Sequence, residues 1–225
     1  MNGFGVWASL ATGGVDKGHK WLFCRFNGLG TPHSFTGTSN TDSCTLYSCW
    51  LESCGTTLFD NDNALLITYQ QCNIWSAVDQ FRILDNNGGN NGRGGGGAVA
   101  LRDCDLIINN INDDTTAHYT LRIDSAVDFF RTWLFDNCRW ELRGTEARVL
   151  YWTGTASYTN SHVEFRTCDL SVMQENQASY GGGGADTDGR RNIIVQGPNT
   201  RSVWARCYFA NQLGIEFTNV NTARA

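Results

Sequence analysis

The chain has 225 residues, with 25 glycines, two prolines, 12% aromatic and 17% charged residues, a net charge of −5, and only two lysines among its 17 basic residues. That balance excludes a broad basic face for nucleic acid, because neutralising phosphates requires clustered Lys and Arg. No apolar run approaches the ~18 residues that span a bilayer as a helix, so neither nucleic acid nor a membrane is expected as a partner.

Residues 1 to 16 place Phe4, Val6, Trp7 and Leu10 among small residues. They lack the basic segment and continuous apolar core of a secretory signal, and read as an N-terminal arm or cap. The absence of any Asn-x-Ser/Thr acceptor agrees with folding in a cytoplasm.

From residue 17 to 225 the sequence reads as one domain built on a repeated cysteine motif. The anchors are Cys24, Cys49, Cys72, Cys104, Cys138, Cys168 and Cys207, separated by 25, 23, 32, 34, 30 and 39 residues. Three residues before them stand Trp21, Leu46, Tyr69, Leu101, Phe135, Phe165 and Trp204; two residues after stand Phe26, Leu51, Ile74, Leu106, Trp140, Leu170 and Phe209. A strand returns a side chain to one face every second residue, so a step of three breaks the alternation. Polar pairs such as Gln70-Gln71 and Asp136-Asn137 before the anchor therefore predict a short strand, a two-residue bend and a second strand, both facing one interior.

A third apolar segment follows in most copies, at residues 80 to 85, 119 to 124, 148 to 152, 192 to 196 and 213 to 218. Three short strands per copy make one coil of a parallel β-solenoid, and the irregular spacings are insertions between coils. Seven coils at about 4.8 Å each predict a rod roughly 30–35 Å long. Two glycine-rich insertions, 86–97 and 174–191, lack the Lys-Ser/Thr of a phosphate loop. They read as projecting loops or as contact arms that order on assembly.

Nine cysteines in a small secreted chain would suggest disulfides. Here seven share one inward column as small apolar side chains, with Cys44 and Cys54 five residues either side of Cys49. Free thiols are expected; no close ligand pairs suggest zinc.

On the third-strand face Arg82, Asp85, Arg122, Asp124, Tyr151 and Glu216 are outward candidates, with Phe81-Arg82-Ile83 superimposing on Leu121-Arg122-Ile123. This is the best candidate for a glycan site. Glycoside hydrolysis needs two carboxylates at a defined separation, and no such pair stands out. His19, His33, His118 and His162 are scattered, so no catalytic residue, metal or cofactor is expected.

The motif, and especially its last copy W-A-R-C-Y-F-A-N-Q-L-G-I-E-F from Trp204 to Phe217, resembles the right-handed parallel β-helix superfamily, the fold of pectate lyases and many phage tailspikes. The resemblance covers about residues 19 to 218. It implies an all-β, single-domain right-handed parallel β-helix of about seven coils, but fold alone does not fix function.

The rod is short beside β-helix enzymes and suits an assembled building block. Outward Trp50, Trp75, Ile107, Leu134, Val203 and Tyr208, with Trp7 in the arm, would give an apolar strip that favours burial. Trimers are the habit of viral β-helices. The resemblance thus implies a virion structural protein folded in a host cytoplasm: a homotrimeric capsid decoration (cement) protein of a bacteriophage, or a spike or fibre component. Its partners would be itself and the major capsid protein or another virion component. The alternative is a carbohydrate-binding or polysaccharide-cleaving β-helix using the Arg82 and Arg122 face. A bacterial adhesin fragment fits less well, given the missing signal and the free cysteines.

Overall fold

The computed structural model describes residues 4–10, 19–37, 43–60, 66–83, 97–109, 116–123, 131–143, 147–153, 162–170, 193–196, 202–209 and 215–218. Stretches 86–96 and 174–191 lie outside them. Among the described residues all regular structure is β-strand, in three sheets whose neighbouring strands are all parallel.

Each cysteine repeat contributes one strand before its anchor and one after it. The approach sheet orders His19–Leu22, Cys44–Tyr47, Leu66–Gln70, Gly97–Arg102, Arg131–Asp136, His162–Arg166 and Ser202–Ala205. The exit sheet orders Arg25–Asn27, Trp50–Cys54, Asn73–Ser76, Asp105–Asn109, Arg139–Arg143, Asp169–Leu170 and Tyr208–Phe209. A return sheet of eight strands runs through Phe4–Leu10, Thr31–Gly37, Leu58–Asp60, Phe81–Ile83, His118–Ile123, Ala147–Thr153, Ile193–Gln196 and Ile215–Thr218. The N-terminal segment supplies the first of these strands, pairing Phe4 with Thr31 and Leu10 with Gly37. Weak apolar patterning hid the strands at Thr31–Gly37 and Leu58–Asp60 from the sequence; they are fixed by their parallel neighbours instead.

Among the residues whose side chains are described, both predicted apolar columns point inward. Leu46, Tyr69, Leu101, Phe135 and Phe165 are fully buried before the anchors, and Leu51, Ile74, Leu106 and Trp140 after them. Burying each such side chain contributes roughly 1.5–3 kcal/mol. Identical positions in adjacent repeats lie one strand spacing apart, about 4.8 Å, so like rings stack: Phe135 and Phe165 are 4.9 Å apart at 9°. The indole of Trp140 donates to the Thr120 hydroxyl at 3.1 Å, which satisfies a buried polar group.

The three-residue step between Phe135 and Cys138 has a local cause. The residue before each anchor adopts a left-handed backbone: φ is 55° at Phe23, 49° at Ser48, 54° at Gln71 and Asp103, 52° at Asn137 and Thr167, and 56° at Arg206. One residue, not two, makes the bend; the polar residue before it is still the end of the approach strand. A left-handed residue carrying a Cβ costs roughly 1–2 kcal/mol. The cost is offset because the hydrogen-bond ladder continues through the corner. The bend N–H donates to the next repeat, as from Asn137 to the Arg166 carbonyl at 2.9 Å, and the residue after the anchor donates back, as from Arg139 to the Cys104 carbonyl at 3.0 Å.

The anchor thiol completes this corner. Cys138 Sγ lies 3.5 Å from the Asp136 carbonyl oxygen and 3.6 Å from that of Leu101 in the preceding repeat. Cys49, Cys72, Cys104, Cys168 and Cys207 make the same two contacts. A small apolar side chain with a weak donor fits between two carbonyls where a larger one would not. Cys44 occupies the inward position opposite Ile67, and Cys54 caps the next corner against the Phe26 and Glu52 carbonyls. All nine cysteines are free thiols. Burial pushes the Cys49, Cys54, Cys138 and Cys207 thiols up. A thiolate among carbonyl oxygens in an apolar column is opposed by desolvation, which favours the neutral thiol.

Candidate functional site

The return sheet carries a continuous register line. Trp7 pairs with Ser34, Ser34 with Phe59, Phe59 with Arg82, Arg82 with Arg122, Arg122 with Tyr151, Tyr151 with Ile194 and Ile194 with Glu216. Three of the predicted glycan-site residues, Arg82, Arg122 and Tyr151, are thus consecutive. Asp85 and Asp124 lie outside the described residues.

Around that line the structure gathers side chains that the strand pattern did not single out. Asp79 ends the connection from the exit sheet and is almost wholly buried. Its Oδ1 accepts the Tyr119 backbone N–H at 2.8 Å and stands 3.8 Å from His118 Nδ1, while its Oδ2 is 3.7 Å from Arg122 Nη1. The Arg122 guanidinium lies 5.5 Å from the centre of the Tyr151 ring, that of Arg148 lies 5.9 Å from Tyr119, and the two tyrosine rings are 5.1 Å apart. Cation–π contacts of this kind contribute ~0.5–2 kcal/mol.

The electrostatics follow from depth. Burial raises the Asp79 carboxyl above the ordinary range, opposed by the Tyr119 N–H and by Arg122, His118 and Arg82. Burial also raises the Tyr119 phenol. Next to Asp79, Gln80 is fully buried and its Nε2 donates to the carbonyls of Ile74 at 2.8 Å and Ile107 at 2.9 Å, fastening the corner beneath the site to two repeats of the exit sheet. Asp79 was missed because it precedes the strand, in a stretch with no period, although an Asp three residues before an outward Arg was an available signal; Gln80, read from the sequence as the start of the third segment, falls in the connection because the strand begins at Phe81. The surface can present guanidinium and aromatic faces to a polar ligand. Among the described residues it offers one held carboxylate rather than the spaced pair of glycoside hydrolysis. No group of three or more His, Cys, Asp or Glu suited to a metal ion occurs among the described residues.

The predicted apolar contact residues fall on several lines. In the exit sheet Trp75 pairs with Ile107 and Ile107 with Glu141. Trp50 stands one line away, between Arg25 and Asn73, with the Arg25 guanidinium 5.9 Å above its ring. In the approach sheet Leu134 is flanked by Ala100 and Glu164, and Glu164 pairs with Val203. The side chains of Trp7, Val203 and Tyr208 lie outside the described set. Trp50 is the most exposed described member at 54%.

No protein-family model, curated protein or solved structure matches the chain.

Proposed function

We propose that the chain is a right-handed parallel β-helix of seven coils that serves as a structural building block of a virus particle. In this reading it is a homotrimeric capsid decoration protein, or a spike or fibre component, and its work is mechanical: a rod that bridges neighbouring subunits raises the cost of separating them. Right-handedness follows from the general preference of parallel crossovers. The observation that supports the structural role is the corner ladder, in which backbone and thiol contacts link described repeats to their neighbours at the same corner. Nine free thiols, most of them buried, fit folding in a reducing host cytoplasm.

The test is solution mass by size-exclusion chromatography with light scattering, beside gels run with and without boiling in SDS. Three times the 24.9 kDa of one chain, with resistance to SDS before heating, is the expected result. A single-chain mass at all concentrations overturns the trimeric building block.

A second reading is favoured by the consecutive Arg82, Arg122 and Tyr151. Guanidiniums beside aromatic faces suit a carbohydrate. A glycan array should then return a ligand that raises the melting temperature, and Arg82→Ala with Arg122→Ala should abolish that rise.

A further inference from the structure

Three outward columns flank the cysteine corner. The column before the bend runs Leu22, Tyr47, Gln70, Arg102, Asp136, Arg166. The bend residues run Phe23, Ser48, Gln71, Asp103, Asn137, Thr167. The column after the anchor runs Arg25, Trp50, Asn73, Asp105, Arg139, Asp169. From the third repeat to the sixth every one of these residues is polar. Their side chains bond along the columns: Asn137 Nδ2 donates to Asp103 at 2.6 Å, and Arg139 pairs with Asp105 at 3.0 Å. In the first two repeats the same positions hold Leu22, Phe23, Tyr47 and Trp50.

Three of these four side chains are open, and Tyr47 is half-buried. Leu22 is 54% exposed, Phe23 75% and Trp50 54%, and Phe23 sits edge-on to Tyr47 with ring centres 5.7 Å apart. Between described strands this corner is always two residues long, so no insertion rises beside the patch from it. An aromatic at a left-handed bend position is also locally unfavourable, where Asn or Asp is preferred. Local folding thus gives no reason for Phe23.

We infer that this apolar corner is the surface on which a second copy of the chain docks, an inference that rests on the self-associating building block proposed above. Small molecules occupy concave sites that enclose most of their surface, whereas Leu22, Phe23 and Trp50 are each more than half exposed. The exposed parts of Leu22, Phe23 and Trp50, at 54%, 75% and 54%, amount to roughly 300–450 Å², given the 150–250 Å² that a large aromatic can bury. That matches the largest apolar patch of a typical monomer, which is often functional, and is up to about half of the ~800 Å² that each partner gives to a standard protein interface. The rim carries both signs: exposed Arg25 is paired with Glu52, and Lys20 stands exposed on the first approach strand. A symmetric copy presents the same Arg25 and Glu52, so this ion pair can also form between copies.

The test gives the first two repeats the residues of the later ones: Leu22→Gln, Phe23→Asn and Trp50→Asn, after Gln70, Asn137 and Asn73. Asn also suits the left-handed backbone, so folding is retained, as circular dichroism and thermal unfolding will check. Light scattering across a concentration series should find the parent chain oligomeric and the triple variant dissociating at least about thirty-fold more readily, as expected for hot-spot aromatics. Trp50→Asn alone serves if the triple variant does not fold. An oligomer that the substitutions leave unchanged overturns this contact and leaves self-association standing. A parent chain that is monomeric throughout overturns both. Trp75→Asn with Ile107→Asn is the control, and dissociation by that pair instead assigns the contact to the exit sheet and overturns the corner.

Discussion

At the cysteine corner the chain does the same thing seven times; at the other two corners it does something different in almost every repeat. Two residues always join approach strand to exit strand, whereas exit to return takes from three to 22 residues between described strands and return to approach from five to 13. The contrast separates two demands on a turn. Closing a layer requires only that the ends meet, and loop entropy grows slowly with length. Carrying the ladder and an inward side chain through the turn requires one backbone conformation.

Substituting Asn137→Pro should break the contrast most severely. It removes an N–H that donates at 2.9 Å to the Arg166 carbonyl and forces φ away from 52°. The loss should be about 3 kcal/mol or more, read as the fall in the urea midpoint. Ten Gly/Ser residues added to the connection between 83 and 97 should cost less than ~1 kcal/mol in the same assay.

Gly55→Ala asks whether a variable corner has a fixed point. Its Cβ would fall 2.1 Å from the Gly30 carbonyl oxygen, while the Gly55 N–H donates to the Leu29 carbonyl at 2.8 Å. Backbone must move, and destabilisation of about 1–3 kcal/mol is expected by chemical denaturation. A smaller step follows from Cys138→Ala, which empties a buried site between two carbonyls and should cost about 1–2 kcal/mol.

The smallest effect concerns Asp79, at the corner before the return sheet. Its carboxyl is raised in the folded chain, so the folded state binds its proton more tightly than the unfolded state does. Stability from this group therefore rises as pH falls from above its folded value toward the ordinary carboxylate range, and ionisation opposes folding at neutral pH. Asp79→Asn should hold or slightly raise the melting temperature at pH 7 and flatten its dependence on pH through that window.

The same contrast explains what could be read in advance. The apolar columns at Phe135 and Trp140 were legible because every layer meets the same ladder, and the repeated cysteine marked the bend. The left-handed residue was not, because Phe23, Gln71 and Thr167 share no chemistry; the backbone bonds impose the conformation over their intrinsic preferences. Arg82, Arg122 and Tyr151 could be aligned through their apolar neighbours. Asp79 and Gln80 lie in a connection without periodicity, and only the spatial approach of Tyr119 and Ile107 gives them meaning. Cys44 resisted assignment because the inward position five before an anchor is elsewhere Ile67, Val99, Trp133 or Val163.

The single left-handed residue has one further consequence. Each occurrence resets which face the next strand turns inward, so a length change in one layer is forgotten before the following layer begins. The molecule behaves as a text with punctuation: an insertion between 171 and 192 alters its own clause, and Tyr208 still meets Asp169 in register.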